Sequence, residues 1–150
     1  MININQRKIL NFKNNKRGLY SLYIFLLLLF FTLPAEFIAN DKPLLVKYNN
    51  GYYFPVFKNY AETVFGGDFE TSADYRDSFV MELIESDGWI IWPLIPFNHQ
   101  TVNYNLQVPA PSPPSLENLL GTDDQARDVL ARLIYGFRIS ILFGILLTFF

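Results

Sequence analysis

Residues 19–33 read LYSLYIFLLLLFFTL, a run without a charged side chain, and this run decides the fold class. A helix over it spans about 22 Å, and continuation to Ala39 gives about 31 Å. The longer helix matches the ~30 Å hydrocarbon core of a bilayer. Pro34 and Glu36 lie in the extension, and a membrane helix tolerates both near its end, where water or headgroups supply partners. The run predicts a transmembrane helix over residues 19–39.

Charge is distributed unevenly around this run. Residues 1–18 hold five bases and no acid, whereas residues 36–133 hold fourteen acids against six bases, a net charge of −8. Basic flanks of membrane helices stay in the cytosol, so the pattern predicts a cytoplasmic N-terminus over residues 1–18 and an exported acidic segment. The basic end is too short and too poor in aromatic residues to indicate binding of nucleic acid.

A cleaved signal peptide is the alternative interpretation of the same N-terminal pattern. Its cleavage site would be poor, because such sites require small residues. Cleavage after Ala39 places the large Phe37 at the −3 position, and cleavage after Ala35 places Leu33 there. We therefore favour a helix that stays in the membrane.

Residues 40–118, called the insert below, carry local signals of a small exported α+β unit. Two short apolar runs flank residues 49–51, where an Asn-Gly pair predicts a β-hairpin turn with positive φ angles. Residues 75–86 predict a short helix, and residues 89–97 are apolar but broken by two prolines, so an extended chain is expected there. Four prolines within residues 108–114 predict a stiff connector.

Residues 119–150 return to a helical pattern. Thr122 followed by Gln125 matches a capping box and predicts a helix that starts near Asp123. Apolar and polar residues then alternate at helical spacing, which predicts an amphipathic interfacial helix over residues 119–136 with Asp128 and Arg132 paired four residues apart. Residues 137–150 predict the start of a second transmembrane helix that is cut short, so we expect a mainly α membrane protein present as an N-terminal fragment.

Signals of catalysis and of metal binding are sparse. The chain contains no cysteine and a single histidine, His99, so neither a thiol site nor a histidine pair is available. Asp123 and Asp124 are expected as acids at a helix start rather than as an acid–base pair. Gly66-Gly67 predicts a turn and no phosphate loop, because no Lys-Ser/Thr follows. We expect no catalytic, cofactor-binding or metal-binding residue, and no enzyme.

Residues 118–144 read NLLGTDDQARDVLARLIYGFRISILFG. This stretch resembles the opening motif of the C-type subunit of oligopeptide and dipeptide ABC transporter permeases, with a Leu-Gly-Thr-Asp start, an Arg-Asp step and a Tyr-Gly-x-Arg-x-Ser end. Where the family has a glycine before the arginine, this chain has Ala126, a departure that bears on a local turn. Residues 36–46, EFIANDKPLLV, together with Tyr53-Phe54-Pro55 and Gly66-Gly67, look like the permeases of microcin C transporters.

The resemblance implies an inner-membrane permease component of an ABC importer for peptides. It implies a second permease subunit, an ATP-binding subunit that contacts a downstream region, and a periplasmic peptide-binding protein as partners, besides membrane lipids. The motif residues it implies, with structural or gating roles, are Gly121, Thr122, Asp123, Arg127, Asp128, Arg132, Gly136, Arg138, Ser140 and Gly144.

Two of these motif features have physical roles of their own. Gly136, Ser140 and Gly144 are spaced four apart, which puts small residues on one helix face where another helix packs closely. Arg138 enters the membrane edge, where we expect it to snorkel to the periplasmic interface or to pair with Asp128 or another acid. A role of Arg138 in holding a periplasmic gate is a separate hypothesis. The alternative function is a single-anchor periplasmic interaction protein without a transport path, which requires residues 137–150 to form a buried or surface helix.

Overall fold

The structure is a computed structural model that describes residues 4–149, so residues 1–3 of the predicted basic segment and Phe150 of the predicted second membrane helix lie outside it. The described helices and strands, in chain order, are α1 (Ile4–Asn14), α2 (Lys16–Thr32), α3 (Ala35–Ile38), β1 (Leu45–Tyr48), β2 (Gly51–Tyr53), α4 (Ser78–Asp87), β3 (Gly88–Ile91) and α5 (Val129–Phe149).

The apolar run forms α2, which ends earlier than predicted. Its last turn is intact, since the Leu33 amide still donates to the Leu29 carbonyl at 2.9 Å. Pro34 then interrupts the helix, because proline has no N–H and its ring clashes with the preceding turn. The continuous helix predicted over residues 19–39 is therefore wrong. The chain resumes as α3, where Ala35 is fully buried, as is Ala39 just after it.

The predicted hairpin is confirmed, with its turn displaced by one residue. β1 pairs antiparallel with β2, and Tyr48 stands opposite Gly51. The positive φ angles belong to Asn49 (42°) and Asn50 (65°), which form a two-residue connection, while Gly51 is already in the strand. Asparagine tolerates this left-handed conformation better than most residues.

The proline-broken run is extended, as predicted, and it also supplies a third strand. β3 pairs antiparallel with β1, which gives the sheet order β2–β1–β3. Beyond Pro93 the chain turns towards α3. The Ile95 amide donates to the Ile38 carbonyl at 2.8 Å, and the Asn40 amide donates to the Ile95 carbonyl at 3.0 Å. This short parallel bridge ties the end of α3 to the insert.

One hydrophobic cluster stabilises the insert itself, and a second joins the insert to α3 and α5. One cluster lies between the sheet, α4 and a 3₁₀ turn, and comprises Val46, Phe65, Ala73, Tyr75, Val80 and Ile84. The other joins α3, the residues after β3 and the start of α5, and comprises Ala35, Ala39, Ile95, Phe97, Ala131 and Tyr135. The second cluster therefore fixes the insert to both helices.

α5 is one continuous helix of 21 residues, about 31 Å long. Among residues 4–149 it is the helix long and apolar enough to cross a membrane, by length and composition only. Grooves beside it are lined at one end by Leu28 and Thr32 of α2 and at the other by Phe25, so α2 and α5 run antiparallel. The separate amphipathic helix predicted over residues 119–136 is wrong, because residues 119–128 are not helical.

Candidate functional site at the junction of two helices

The start of α5 is fixed by Asp128 rather than by the predicted capping box. Its Oδ1 atom accepts a hydrogen bond from the Ala131 amide at 2.7 Å, which is the contact of an N-cap residue. Thr122 does not cap a helix; its hydroxyl accepts from the Ser112 amide at 2.9 Å. The helix therefore begins six residues later than Asp123, the predicted start, because Asp128 offers the better cap.

A buried polar network holds Asp128 in place. Its Oδ2 atom accepts from Asn118 Nδ2 at 2.9 Å, and Asn118 Oδ1 accepts from Asn103 Nδ2 at 3.1 Å. All three side chains are at most 2% exposed. The Asn103 amide also donates to the Ala126 carbonyl at 2.8 Å. No local pattern indicates that Asn103 supports this network, because Asn118 and Ala126, its partners there, lie 15 or more residues away.

Asp123 is the centre of a second polar cluster. Its carboxylate accepts from the amides of Gln125 and Arg127, both at 2.9 Å, and from Arg127 Nε at 2.8 Å. Arg132 also pairs with Asp123, so the predicted pair of Asp128 and Arg132 is wrong. Burial alone would raise the pKa of Asp123, but the hydrogen bonds from Arg127 and Gln125 outweigh it and lower the pKa to about 2. The carboxylate is therefore charged at neutral pH.

The turn between these clusters requires unusual backbone angles. Gly121 has a φ of 74°, and a Cβ atom there would lie 2.3 Å from the Ser112 carbonyl oxygen, so only glycine fits. Ala126 has a φ of 58°, in the left-handed region that alanine adopts at a cost. Besides Gly121, position 126 is thus a second place in this turn where the backbone favours glycine, the residue that the resembling family has there.

α3 and α5 meet at a polar contact, called the helix junction below, formed by Glu36, Ala39, Tyr135 and Arg138. Arg138 Nη1 donates to both carboxylate oxygens of Glu36, at 2.8 and 2.7 Å. The buried Tyr135 hydroxyl donates to the Ala39 carbonyl at 2.8 Å. The Arg138 guanidinium lies 4.9 Å from the centre of the Tyr135 ring. Arg138 thus pairs with an acid, as predicted, but this acid is Glu36, because Asp128 is engaged at the start of α5.

His99 completes the wall of the helix junction. Its ring packs tilted on Tyr135, with the ring centres 4.6 Å apart. Its Nδ1 atom is buried without a hydrogen-bond partner among the described residues. The only histidine of the chain therefore packs against an aromatic ring.

The small residues of α5 face open space within the described chain. A Cβ atom added at Gly136 or at Gly144 would meet no other atom within 4 Å. Ser140 and Gly144 line a groove beside α5 together with Phe25 of α2. The predicted close approach of another helix to this face therefore stays a prediction.

The structure thus divides the ten motif residues into three groups. Six shape the loop and the start of α5, namely Gly121, Thr122, Asp123, Arg127, Asp128 and Arg132. Arg138 belongs to the helix junction, and three small residues lie on an open face. Glu36 and Tyr135 are functional candidates that the motif did not single out as site residues. A charged residue directly after an apolar run was the available signal for Glu36.

Comparison with known proteins identifies the relatives of this chain. No family model matches it, and no solved structure matches it. The inner membrane ABC transporter permease protein YejE of Escherichia coli is 49% identical over 97% of this chain and 42% of its own length. The peptidoglycan transport system permease protein YejE of Agrobacterium fabrum is 46% identical over 95% of this chain and 44% of its own length.

A shorter match concerns a more distant permease. The dipeptide transport system permease protein DppC of Escherichia coli is 61% identical over 34 residues, or 23% of this chain. The chain spans about two fifths of the length of the two YejE proteins, and the match covers the insert and the described helices almost completely. Over this length, the chain is similar to the ABC transporter permeases of the YejE type.

Proposed function

We propose that the protein serves as part of an inner-membrane permease that imports peptides in an ABC transporter. The similarity to YejE permeases over nearly the whole chain carries this proposal. The shorter match, to a dipeptide transport system permease, supports peptides as the substrate class. The same similarity does not favour a single-anchor interaction protein.

The proposed topology places residues 1–18 in the cytoplasm and the insert in the periplasm. α2, whose 17 residues lie at the short end of the range for a spanning helix, would cross the membrane outwards, and α5 would return from the periplasmic side. Two observations support this arrangement. The basic residues precede α2 while the acidic residues follow it, and the two helices are antiparallel, with the helix junction at the insert end of both.

The proposed role of the helix junction is to hold the periplasmic ends of the two helices together. An ion pair at the edge of the hydrocarbon layer is favoured there, because neither charge is left without a partner as the helices enter lipid. The loop around Asp123 and Asp128 would set the angle at which α5 enters the membrane. The open face with Gly136, Ser140 and Gly144 would receive another helix of the permease.

The proposed partners follow from this arrangement. A second permease subunit would complete the path, and an ATP-binding subunit would supply energy from the cytoplasmic side. A periplasmic peptide-binding protein would dock on the insert, where the net charge of −8 over residues 36–133 would steer a basic surface by long-range attraction.

Peptide uptake tests the proposed function directly. Cells that lack the gene encoding this chain should accumulate less of a labelled oligopeptide, and the complete gene on a plasmid should restore uptake. A gene with Arg138→Gln should restore less, whereas Tyr20→Phe, a change at an exposed position on α2, should restore uptake fully. Equal uptake with and without the gene would refute the proposal.

Reporter fusions test the topology. Alkaline phosphatase folds to an active form in the periplasm, so a fusion after Asn105 should be active and one after Asn14 inactive. Activity at Asn14, or recovery of a soluble form that lacks the basic N-terminus, would refute the proposed arrangement.

A further inference from the structure

Three exposed phenylalanines form a patch beside the end of α2. Phe37 is 46% exposed, Phe54 46% and Phe57 73%. The rings of Phe37 and Phe57 meet edge to face, with their centres 5.6 Å apart. Phe54 belongs to the same turn, because the amides of Phe57 and Lys58 both donate to its carbonyl. A group of exposed aromatic side chains indicates a contact surface, because removal of apolar area from water is favourable.

The position of the patch indicates what covers it. Phe37 follows Glu36 directly and lies on α3, just beyond the break that ends the apolar helix. The helix junction therefore fixes one side of the patch at the level where α2 and α5 leave their apolar stretches. Aromatic side chains are enriched at this level of membrane proteins, among the lipid headgroups.

The charge beside the patch differs from that of the rest of the exported segment. Lys58 follows Phe57 directly in the chain, with its amine 5.5 Å from the centre of the Tyr60 ring, and Lys42 reaches the same turn. They are two of the six bases in residues 36–133. Lys42 Nζ donates to Asn59 Oδ1 at 2.5 Å, next to Lys58 in the chain. Neither lysine forms a salt bridge with any residue that the structure describes. A cationic rim around apolar rings is complementary to anionic headgroups.

We propose that Phe37, Phe54, Phe57, Lys42 and Lys58 form a membrane-contact patch that seats the insert on the outer face of the inner membrane. The rings enter the headgroup layer, and the lysines bind anionic lipid phosphates. This inference rests on the proposed function, since it needs α2 in the bilayer. Its consequence is that the patch sets the depth and tilt of the insert and its attached helix ends relative to the membrane surface.

The absence of cysteine from the chain allows a site-specific test. An environment-sensitive fluorophore is attached to single-cysteine variants of the full chain in vesicles of phosphatidylethanolamine and phosphatidylglycerol. Phe57→Cys reports on the patch. Phe79→Cys is the matched control, an exposed phenylalanine on α4, which packs against β1 and β3. Leu27→Cys on α2 reports on membrane insertion. A phospholipid that carries a nitroxide near its headgroup serves as quencher.

The expected result is a blue-shifted emission and strong quenching at position 57, with neither at position 79. Lys42→Gln combined with Lys58→Gln should reduce the quenching at position 57 in these vesicles. It should have no effect in vesicles of phosphatidylcholine alone, which lack anionic lipid.

Three outcomes would overturn the proposal. If the label at position 27 shows lipid burial while position 57 behaves like position 79, the patch does not contact lipid and the proposed function stands. A blue shift at position 57 without lipid quenching means that protein covers the rings. A fully aqueous label at position 27 refutes the membrane span and the contact patch together.

Discussion

Arg138 donates hydrogen bonds from one nitrogen to both carboxylate oxygens of Glu36, a residue 102 positions earlier in the chain. This ion pair connects the end of one apolar segment to the beginning of the other. The Glu36 side chain is 44% exposed and that of Arg138 is 19% exposed, so the contact is neither fully solvated nor buried. The strength of this ion pair depends on how much water reaches it, and it decides how firmly α3 and α5 are joined.

A double-mutant cycle should measure the coupling of this pair. We expect Glu36→Gln, Arg138→Gln and the double variant to give a coupling free energy of about 1 kcal/mol, the upper part of the range for partly exposed pairs. Urea unfolding at low salt in detergent micelles, followed by the fluorescence of Trp89 and Trp92, gives the free energies of unfolding of the three variants and of the parent chain. A coupling near zero would mean that the cluster around Tyr135 alone joins the helices.

Removal of the Tyr135 hydroxyl should weaken the same junction independently. Tyr135→Phe leaves the buried carbonyl of Ala39 without its partner, and we expect a loss of about 1 to 2 kcal/mol in the free energy of unfolding. Tyr20→Phe is the control, since Tyr20 is 64% exposed. Equal stability of the two variants would contradict the assigned hydrogen bond.

Glycine at position 126 should stabilise the chain. Ala126 has a φ of 58°, so Ala126→Gly relieves a conformational cost of about 1–2 kcal/mol for an L-residue and adds some freedom to the unfolded chain. We expect a net gain of about 0.5–1 kcal/mol in the same unfolding measurement. Ala61→Gly is the matched control, because Ala61 has a φ of −71° and no strain to relieve. Ala61→Gly should lower the free energy of unfolding, and a gain at position 61 would contradict backbone strain as the cause of the effect at position 126.

Alanine at position 121 should have the opposite effect. Gly121→Ala places a methyl group against the Ser112 carbonyl in a left-handed backbone, and we expect a loss of about 3 kcal/mol or more. Gly136→Ala is the control, since nothing lies within 4 Å of the added carbon. It should gain up to about 1 kcal/mol, because alanine is the better helix former. Similar effects at both positions would contradict the described turn.

Stability should depend on pH through Asp123. Its pKa falls from the ordinary 3.8 to about 2 in the folded chain, so its stabilising contribution is complete above about pH 4 and is lost as the pH falls towards 2. Asp123→Asn should be less stable at neutral pH and should show a flatter profile between pH 4 and 2. Asp124→Asn, at the exposed neighbour, should keep the profile of the parent chain. An unchanged slope in Asp123→Asn would exclude this role.

Local patterns were sufficient for some elements and insufficient for others. The hairpin at residues 45–53 was predictable because turn and strands adjoin in sequence. The start of α5 was misplaced because the Thr122–Gln125 pattern and the Asp128 cap compete locally, and the choice depends on Asn103 and Asn118, which are distant in sequence. The end of α2 is not decided by the apolar run, because a proline near a helix end is tolerated in some helices and breaks others, and Pro34 breaks this one. The acid that pairs with Arg138 was not predictable, since no local rule selects a partner 102 residues away.

The hydrogen bond from Tyr135 to the Ala39 carbonyl also means that the insert leaves and re-enters the helical part at one place. The chain between Ala39 and Tyr135 is a closed loop, called the excursion here, whose two ends are held together at α3 and α5. The entropic free-energy cost of closing such a loop rises by only about 0.6 kcal/mol for each doubling of its length. Exposed parts of this excursion can therefore be lengthened at little cost, whereas the segments around Phe97, Asn103 and Asn118 are constrained because they pack against the helix pair.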